Sequence, residues 1–237
     1  MNPQVFGKEH LIYIAVSLII GICVCTIAAR YVKGERARTI FIKCAAAVLF
    51  LTIFANRLAL VFEYEQIRWT KLLTDSFCST SSYVLSLSIL FGKKNNVVLH
   101  FIWLIALVGG SIVTFYSDFI GQNPSFLYPP TILGMAHHTI SAIVVILMFI
   151  LGYLDITYKK WYCTLFGFAC YFAYGAFLHF VLDYSNPFYM NEPALSGTPF
   201  TAWVIAPIYT ALYAAIVITV ELIRRYRIKK KKLVSQE

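Results

Sequence analysis

Residues 97–117 read VVLHFIWLIALVGGSIVTFYS, a run without a single Asp, Glu, Lys or Arg. About 20 mostly apolar residues in helical form cross the ~30 Å hydrocarbon core of a bilayer. A buried strand is far shorter, about four to eight residues. The run therefore reads as a transmembrane helix, and its neighbours repeat the pattern. Working outward, apolar stretches run approximately over 10–29, 40–62, 71–92, 131–153, 161–183 and 202–223, which with 97–117 makes seven. The stretch 71–92 is the least apolar, because it carries Asp75, Cys78 and a run of Ser and Thr. Short connections suit one compact bundle. The expected fold is all-α: a polytopic transmembrane bundle of seven helices in a single integral membrane domain, 1–237, ending in a basic cytoplasmic tail, 224–237.

Composition supports this class. The chain is 59% hydrophobic and 13% charged, against about a quarter charged in a soluble domain. An ordinary soluble enzyme and a disordered protein are thereby excluded. The net charge of +9 suggests nucleic acid at first sight, but seven of the twenty basic residues lie between Arg224 and Lys232. A basic cluster just beyond an apolar helix reads as an anchor on anionic lipid headgroups. No nucleic-acid partner is expected.

Loop charge sets the expected orientation. Arg30, Lys33, Arg36, Arg38 and Lys43, then Lys93 and Lys94, then Lys159 and Lys160, then the tail, put sixteen basic residues on one side; Lys8, Arg57, Arg68 and Lys71 are the four on the other. Lys/Arg-rich loops stay cytoplasmic. The N-terminus is expected outside, the C-terminus in the cytoplasm, and the protein in the cell membrane as a multi-pass chain. The first apolar stretch is expected to be retained, since it is long and no Ala-x-Ala site precedes Arg30.

With this orientation Arg57, Asp75, Cys78, His137, His138, His179 and Asp183 share one outer layer, contributed by four helices. Ionisable groups inside a membrane are costly and face the bundle interior or a cavity. Asp75, Cys78, Ser79, Ser82 and Ser86 fall at i, i+3, i+4, i+7 and i+11, one helical stripe. Such a stripe is also a common packing surface between helices. His100, near the cytoplasmic end, reads as a structural hydrogen-bonding residue, and the cysteines other than Cys78 as packing. His137 and His138 stand ~100° apart on a helix, so only one faces a given direction. Arg57 either joins the layer or snorkels outward to pair with Glu63 or Glu65.

A cysteine becomes a nucleophile as the thiolate, which a neighbouring histidine or cation favours. Cys78, a histidine, Asp75 or Asp183 as orienter and Arg57 as an anion clamp are the parts of an acyl-transfer site. A zinc site built from His137, His138, His179 and Asp183 is the rival use. No HExxH or paired CxxC motif is present, so no metal and no other cofactor is expected.

Three stretches carry a family resemblance: LTDSFCSTSS at 73–82, MAHHTIS at 135–141 and DYSNPFYMNEP at 183–193. The chain resembles the YwaF-like bacterial integral membrane proteins, a seven-span group related to the eukaryotic transmembrane acyltransferases that remodel ether phospholipids. The resemblance implies a catalytic cysteine at Cys78 and a catalytic histidine at His137 or His138, with His138 preferred because Ser141 lies one turn below it. It also singles out Asn186, Tyr189, Met190 and Pro193 in the last outer loop. Ser76 and Ser79 depart from the pattern, where the family often has a histidine and an acidic residue.

The leading expectation is a phospholipid acyltransferase or acyl hydrolase acting on membrane lipids. Catalysis would rest on Cys78, His138, His137 and Asp75, and binding on Arg57, His179, Asp183, Asn186 and Tyr189. The same layer also suits a binding or transport protein for a small anionic solute, or a structural membrane subunit. Span seven has no Lys for a Schiff base, which disfavours a retinal protein.

Overall fold

The computed structural model describes residues 4–63, 67–116, 120, 124–194 and 197–234. Among them the chain forms seven α-helices: α1 (Lys8–Tyr31), α2 (Glu35–Val61), α3 (Phe77–Phe91), α4 (Val97–Phe115), α5 (Pro129–Ile150), α6 (Tyr162–Leu182) and α7 (Ala202–Val234). Six are long and apolar enough to cross a membrane, all except α3.

Helix α3 corrects the expected third span. It has 15 residues, about 22 Å at 1.5 Å per residue. The chain from Trp69 to Leu72 is a 3₁₀ turn instead. The helix begins late because Ser76 caps it: its Oγ accepts from the backbone N–H of Ser79 at 3.3 Å. Serine is a preferred cap for this reason. Thr74 Oγ1 meets Thr80 Oγ1 at 2.8 Å and ties the incoming strand of chain to the first turn. Asp75 therefore lies before the helix, and only Cys78, Ser79, Ser82 and Ser86 ride on it. At the other end of the chain, helix α7 continues past residue 223 to Val234, so the basic segment prolongs the last helix.

The core is the packed set α2, α3, α4 and α5, with α6 against α4, α7 against α4 and α6, and α1 against α5. Helix α4 lies at the centre. Leu99, Ile102, Trp103, Ile105 and Ala106 are all buried, as expected for a helix apolar on every side. Gly109 and Gly110 let its neighbours approach closely, the usual role of small residues between membrane helices. A Cβ at 109 would lie 2.6 Å from Cys78 Sγ on α3, and one at 110 would lie 2.5 Å from the carbonyl oxygen of His138 on α5. These two glycines set the distance at which α3 and α5 stand from α4.

The two kinds of glycine contact should behave differently on mutation. Gly110→Ala forces a methyl against backbone atoms that cannot swing aside, and should cost about 1–3 kcal/mol. At Gly21 the new methyl meets only the tip of Ile143 at 3.3 Å, so Gly21→Ala should be neutral or gain up to about 1 kcal/mol of helix propensity. Thermal unfolding of the two variants in detergent checks the contrast.

Candidate functional site

One end of the bundle gathers polar groups from α2, α3 and α5. Arg57, near the end of α2, is 7% exposed. Its NH2 donates to Ser79 Oγ at 2.5 Å, and its NH1 lies 3.7 Å from Asp75 Oδ1. Its Nε is buried with no hydrogen-bond partner among the described residues. Arg57 therefore pairs with Asp75, on the far side of the 3₁₀ turn, and not with Glu63; Glu65 lies outside the described residues. The preceding residue, Asn56, donates to the carbonyl of Pro130 at 3.0 Å and fixes the start of α5 against α2.

Ser82, one turn beyond Cys78, links α3 to α5. Its hydroxyl donates to the carbonyl of Cys78 at 3.1 Å and lies 3.2 Å from Nδ1 of His137. For Ser82 to make both contacts at once, it must accept from His137, in the tautomer that carries its proton on Nδ1. That tautomer leaves the Nε2 lone pair free. His138 stacks beside it, ring centroids 4.1 Å apart. The Arg57 charge acts on both rings. Among the described residues no hydrogen bond joins Cys78 to either histidine; such contacts often tighten only when substrate is bound.

Cys78 lies on the wall of a cavity of about 440 Å³ between α4, α6 and α7. That size is within the range of small-molecule sites. Ile105, Val108, Ile112, Ile208 and Leu212 make most of the wall, and Tyr209 and Tyr189 supply the aromatic part. The roof is the loop after α6. Asn186 shapes it: its Oδ1 accepts from the backbone N–H groups of Asn191 and Glu192, both at 3.0 Å. Phe188 is driven into the bundle, with its N–H on the carbonyl of Asp75 at 2.6 Å and its ring 5.2 Å from Phe77. Met190 packs over Gly175, and its carbonyl accepts from Trp203 at 3.1 Å.

The structure thus brings Arg57, Asp75, Ser79, Ser82, His137 and His138 together, with Cys78 on the same turn. Tyr189 shares a cavity wall with the thiol, and Asn186 bonds within the loop that carries Tyr189. His179 and Asp183 do other work. His179 Nδ1 bonds the carbonyl of Tyr184 at 2.7 Å, and Asp183 ends α6 in the left-handed region, φ 58°, exposed. Among the described residues no group of three His, Cys, Asp or Glu is placed to hold a metal ion. Sequence reasoning missed the steering role of Ser82 and the glycine under Cys78; the adjacent pair Gly109–Gly110 in an otherwise bulky helix was the available signal.

Fold and site define a multi-pass helical membrane protein with a buried polar layer at one end. The chain belongs to the TMEM164 family, whose sequence profile it matches over residues 5–223. No curated protein and no solved structure matches it.

The Arg57–Asp75 pair makes a measurable claim. Asp75→Ala leaves a buried guanidinium without its counter-charge and should destabilise by about 1–2 kcal/mol, less than the 3–5 of a fully buried pair because Asp75 is partly solvated. Adding Arg57→Leu should recover part of the loss. Unfolding midpoints of the two single variants and the double variant give the coupling.

Proposed function

We propose that this TMEM164-family protein is a membrane-embedded acyltransferase or acyl hydrolase that uses Cys78 as nucleophile. The observation that carries the reading is a thiol on the wall of an apolar cavity, one helical turn from a serine that orients a histidine. A lipid acyl chain is the natural content of such a cavity. The YwaF-like resemblance implies the same chemistry, and a bacterial source with it.

In the first half-reaction the Cys78 proton passes to Nε2 of His137 and the sulfur attacks the acyl carbonyl. A thioester bond forms, the ester C–O bond breaks, and the leaving oxygen takes the proton back from the imidazole. In the second, the hydroxyl of a lysolipid or water gives its proton to His137, its oxygen attacks the thioester, and the C–S bond breaks to return the thiolate, which is then reprotonated. The Ser82 contact favours His137 over His138 as the base, and His138 becomes the residue that holds it. Arg57, backed by Asp75, faces the phosphate, and Asn186 and Tyr189 close the site.

The orientation belongs to the same proposal. The sixteen-to-four distribution of basic residues supports a cytoplasmic C-terminus, a cell-membrane location and a site open to the outer leaflet, with the basic end of α7 on anionic headgroups. A C-terminal tag should be protected from external protease in intact cells, and a tag next to Pro193 should be cut. Protection of the Pro193 tag would put the site on the other leaflet.

The chemistry is tested by a thiol-reactive acyl probe on purified protein. Cys78→Ala should abolish labelling and lipid remodelling. Loss of a thiol that lines a cavity should cost less than ~1 kcal/mol of stability, within the spread of mild substitutions. Cys170→Ala, away from the layer, should label as the natural chain does. His137→Ala should slow labelling by about 10²–10⁴, Ser82→Ala by less, and His138→Ala least. If Cys78→Ala leaves lipid profiles unchanged while both proteins restore uptake of a small anion, the transport reading replaces this one.

A further inference from the structure

Seven buried side-chain polar atoms have no hydrogen-bond partner among the described residues, and four of them come from α4, α6 and α7: His100 Nδ1, Trp103 Nε1, Thr164 Oγ1 and the Tyr213 hydroxyl. All four side chains are more than nine-tenths buried, from 0% exposed at His100 to 4% at Thr164. The acyl-transfer steps above use none of them. A polar group buried among apolar side chains without a partner costs free energy, and hydrocarbon supplies no partner.

Their positions form a line. His100 and Trp103 are three residues apart on one face of α4. The Trp103 ring lies 6.2 Å from the ring of Tyr213 on α7, centroid to centroid. Tyr209 is one turn from Tyr213 on the same face of α7. It lines the cavity that holds Cys78 and lies within electrostatic reach of the thiol. From α6, Cys163 interacts electrostatically with Tyr213. Its neighbour Thr164 stands one turn before Phe168, another wall residue of the Cys78 cavity. The line starts beside Asn95, in the turn before α4, and ends at the thiol.

The pattern of donors and acceptors selects the occupant. Asn95 Oδ1 accepts from the N–H of Asp155 at 3.1 Å and lies 2.7 Å from His100 Nε2. Nε2 is therefore the donor, and the neutral ring presents Nδ1 as an acceptor. Trp103 Nε1 only donates, while the Tyr213 and Thr164 hydroxyls do either. A simple anion brings acceptors alone and leaves His100 unanswered; an ammonium brings donors alone and leaves Trp103 unanswered. Water brings both, and buried water characteristically bridges groups of this kind.

We propose that His100, Trp103, Thr164 and Tyr213 hold a file of bound water that leads from the Asn95 end of the bundle to the Cys78 cavity and delivers water there at Tyr209. The file follows from these atoms alone; its use as acyl acceptor rests on the acyl-transfer reading above. Ile105, Val108, Ile208 and Leu212 make the cavity wall apolar, so water reaches the thiol along the file and does not flood the acyl chain. There the water oxygen attacks the thioester carbon. A C–O bond forms, the C–S bond breaks, one water proton passes through His137 to the sulfur, and a fatty acid leaves.

The test is microsecond X-ray radiolysis of the full chain in nanodiscs, which makes hydroxyl radicals from bound water in place, with oxidised residues mapped by peptide mass spectrometry. Trp103 and Tyr213 should oxidise about tenfold faster than Tyr171, which is equally buried but bonded to Ser81 at 3.0 Å. Tyr213→Phe and Thr164→Val remove one hydroxyl each and keep the shape of the side chain. Each should slow oxidation of Trp103 and lower single-turnover release of ¹⁸O-labelled fatty acid in H₂¹⁸O by about tenfold, while acylation of Cys78 by the probe changes less than about twofold. Oxidation of Trp103 and Tyr213 no faster than that of Tyr171 overturns the proposal. Fast oxidation with unchanged acid release in both variants also overturns it, because the water then supplies nothing to the thiol. If the oxidation pattern and its sensitivity to both variants hold while Cys78 takes no acyl probe, the acyl-transfer reading fails and the water file stands without it.

Discussion

A guanidinium buried between membrane helices has to find its partners within the protein, and the arrangement of the site follows from that requirement at Arg57. Polar groups in hydrocarbon have no water to fall back on. The Ser79 hydroxyl at 2.5 Å and the Asp75 carboxylate at 3.7 Å answer it. Both come from the segment around the start of α3, so the cation draws that start down against α2. The cap at Ser76 then delays the helix, α3 is left short, and Cys78 and Ser82 sit at the level of the α5 histidines. Partnering one charge thus sets the height of the thiol.

A shortened α3 leaves space above it, and the loop after α6 fills that space. Phe188, fully buried, enters with φ 53°, a left-handed conformation that costs a bulky residue free energy. The return is a hydrogen bond to Asp75 at 2.6 Å and aromatic contact with Phe77, Tyr171 and Tyr174. The residue that partners Arg57 through its side chain therefore also holds the roof through its backbone. Electrostatics and closure of the cavity are coupled at Asp75.

Depth was legible in the sequence; direction around the helices was not. An uncharged run such as 97–117 declares a span, and counting from its ends places a residue along the membrane normal. That is why Arg57, Asp75, Cys78, His137 and His138 fall at one level. His179 shares the level but bonds the Tyr184 carbonyl just past the end of its own helix. Which histidine faces α3 depended on Ser82, a tertiary contact that no local period encodes. The start of α3 was blurred for a related reason: Thr74, Ser76 and Ser79 are all chemically suited to cap, and only the position of Arg57 separates them.

The opposite end of the bundle is built on a different principle. Asn95, in the left-handed region at φ 59°, accepts on Oδ1 from His100 at 2.7 Å and from the N–H of Asp155 at 3.1 Å, while its carbonyl takes Lys160 at 2.6 Å. Asp155 in turn pairs with Arg224 of α7 at 2.5 Å. Four segments, the α3–α4 turn, α4, the α5–α6 connection and α7, are thereby fixed to one another at that end. Toward the other end α4 and α7 stand on two sides of the cavity that holds Cys78. Helices tied at one end and spaced at the other leave room between them at the level of the thiol. The polar clamp and the apolar cavity are two consequences of one division of labour along the helix axes.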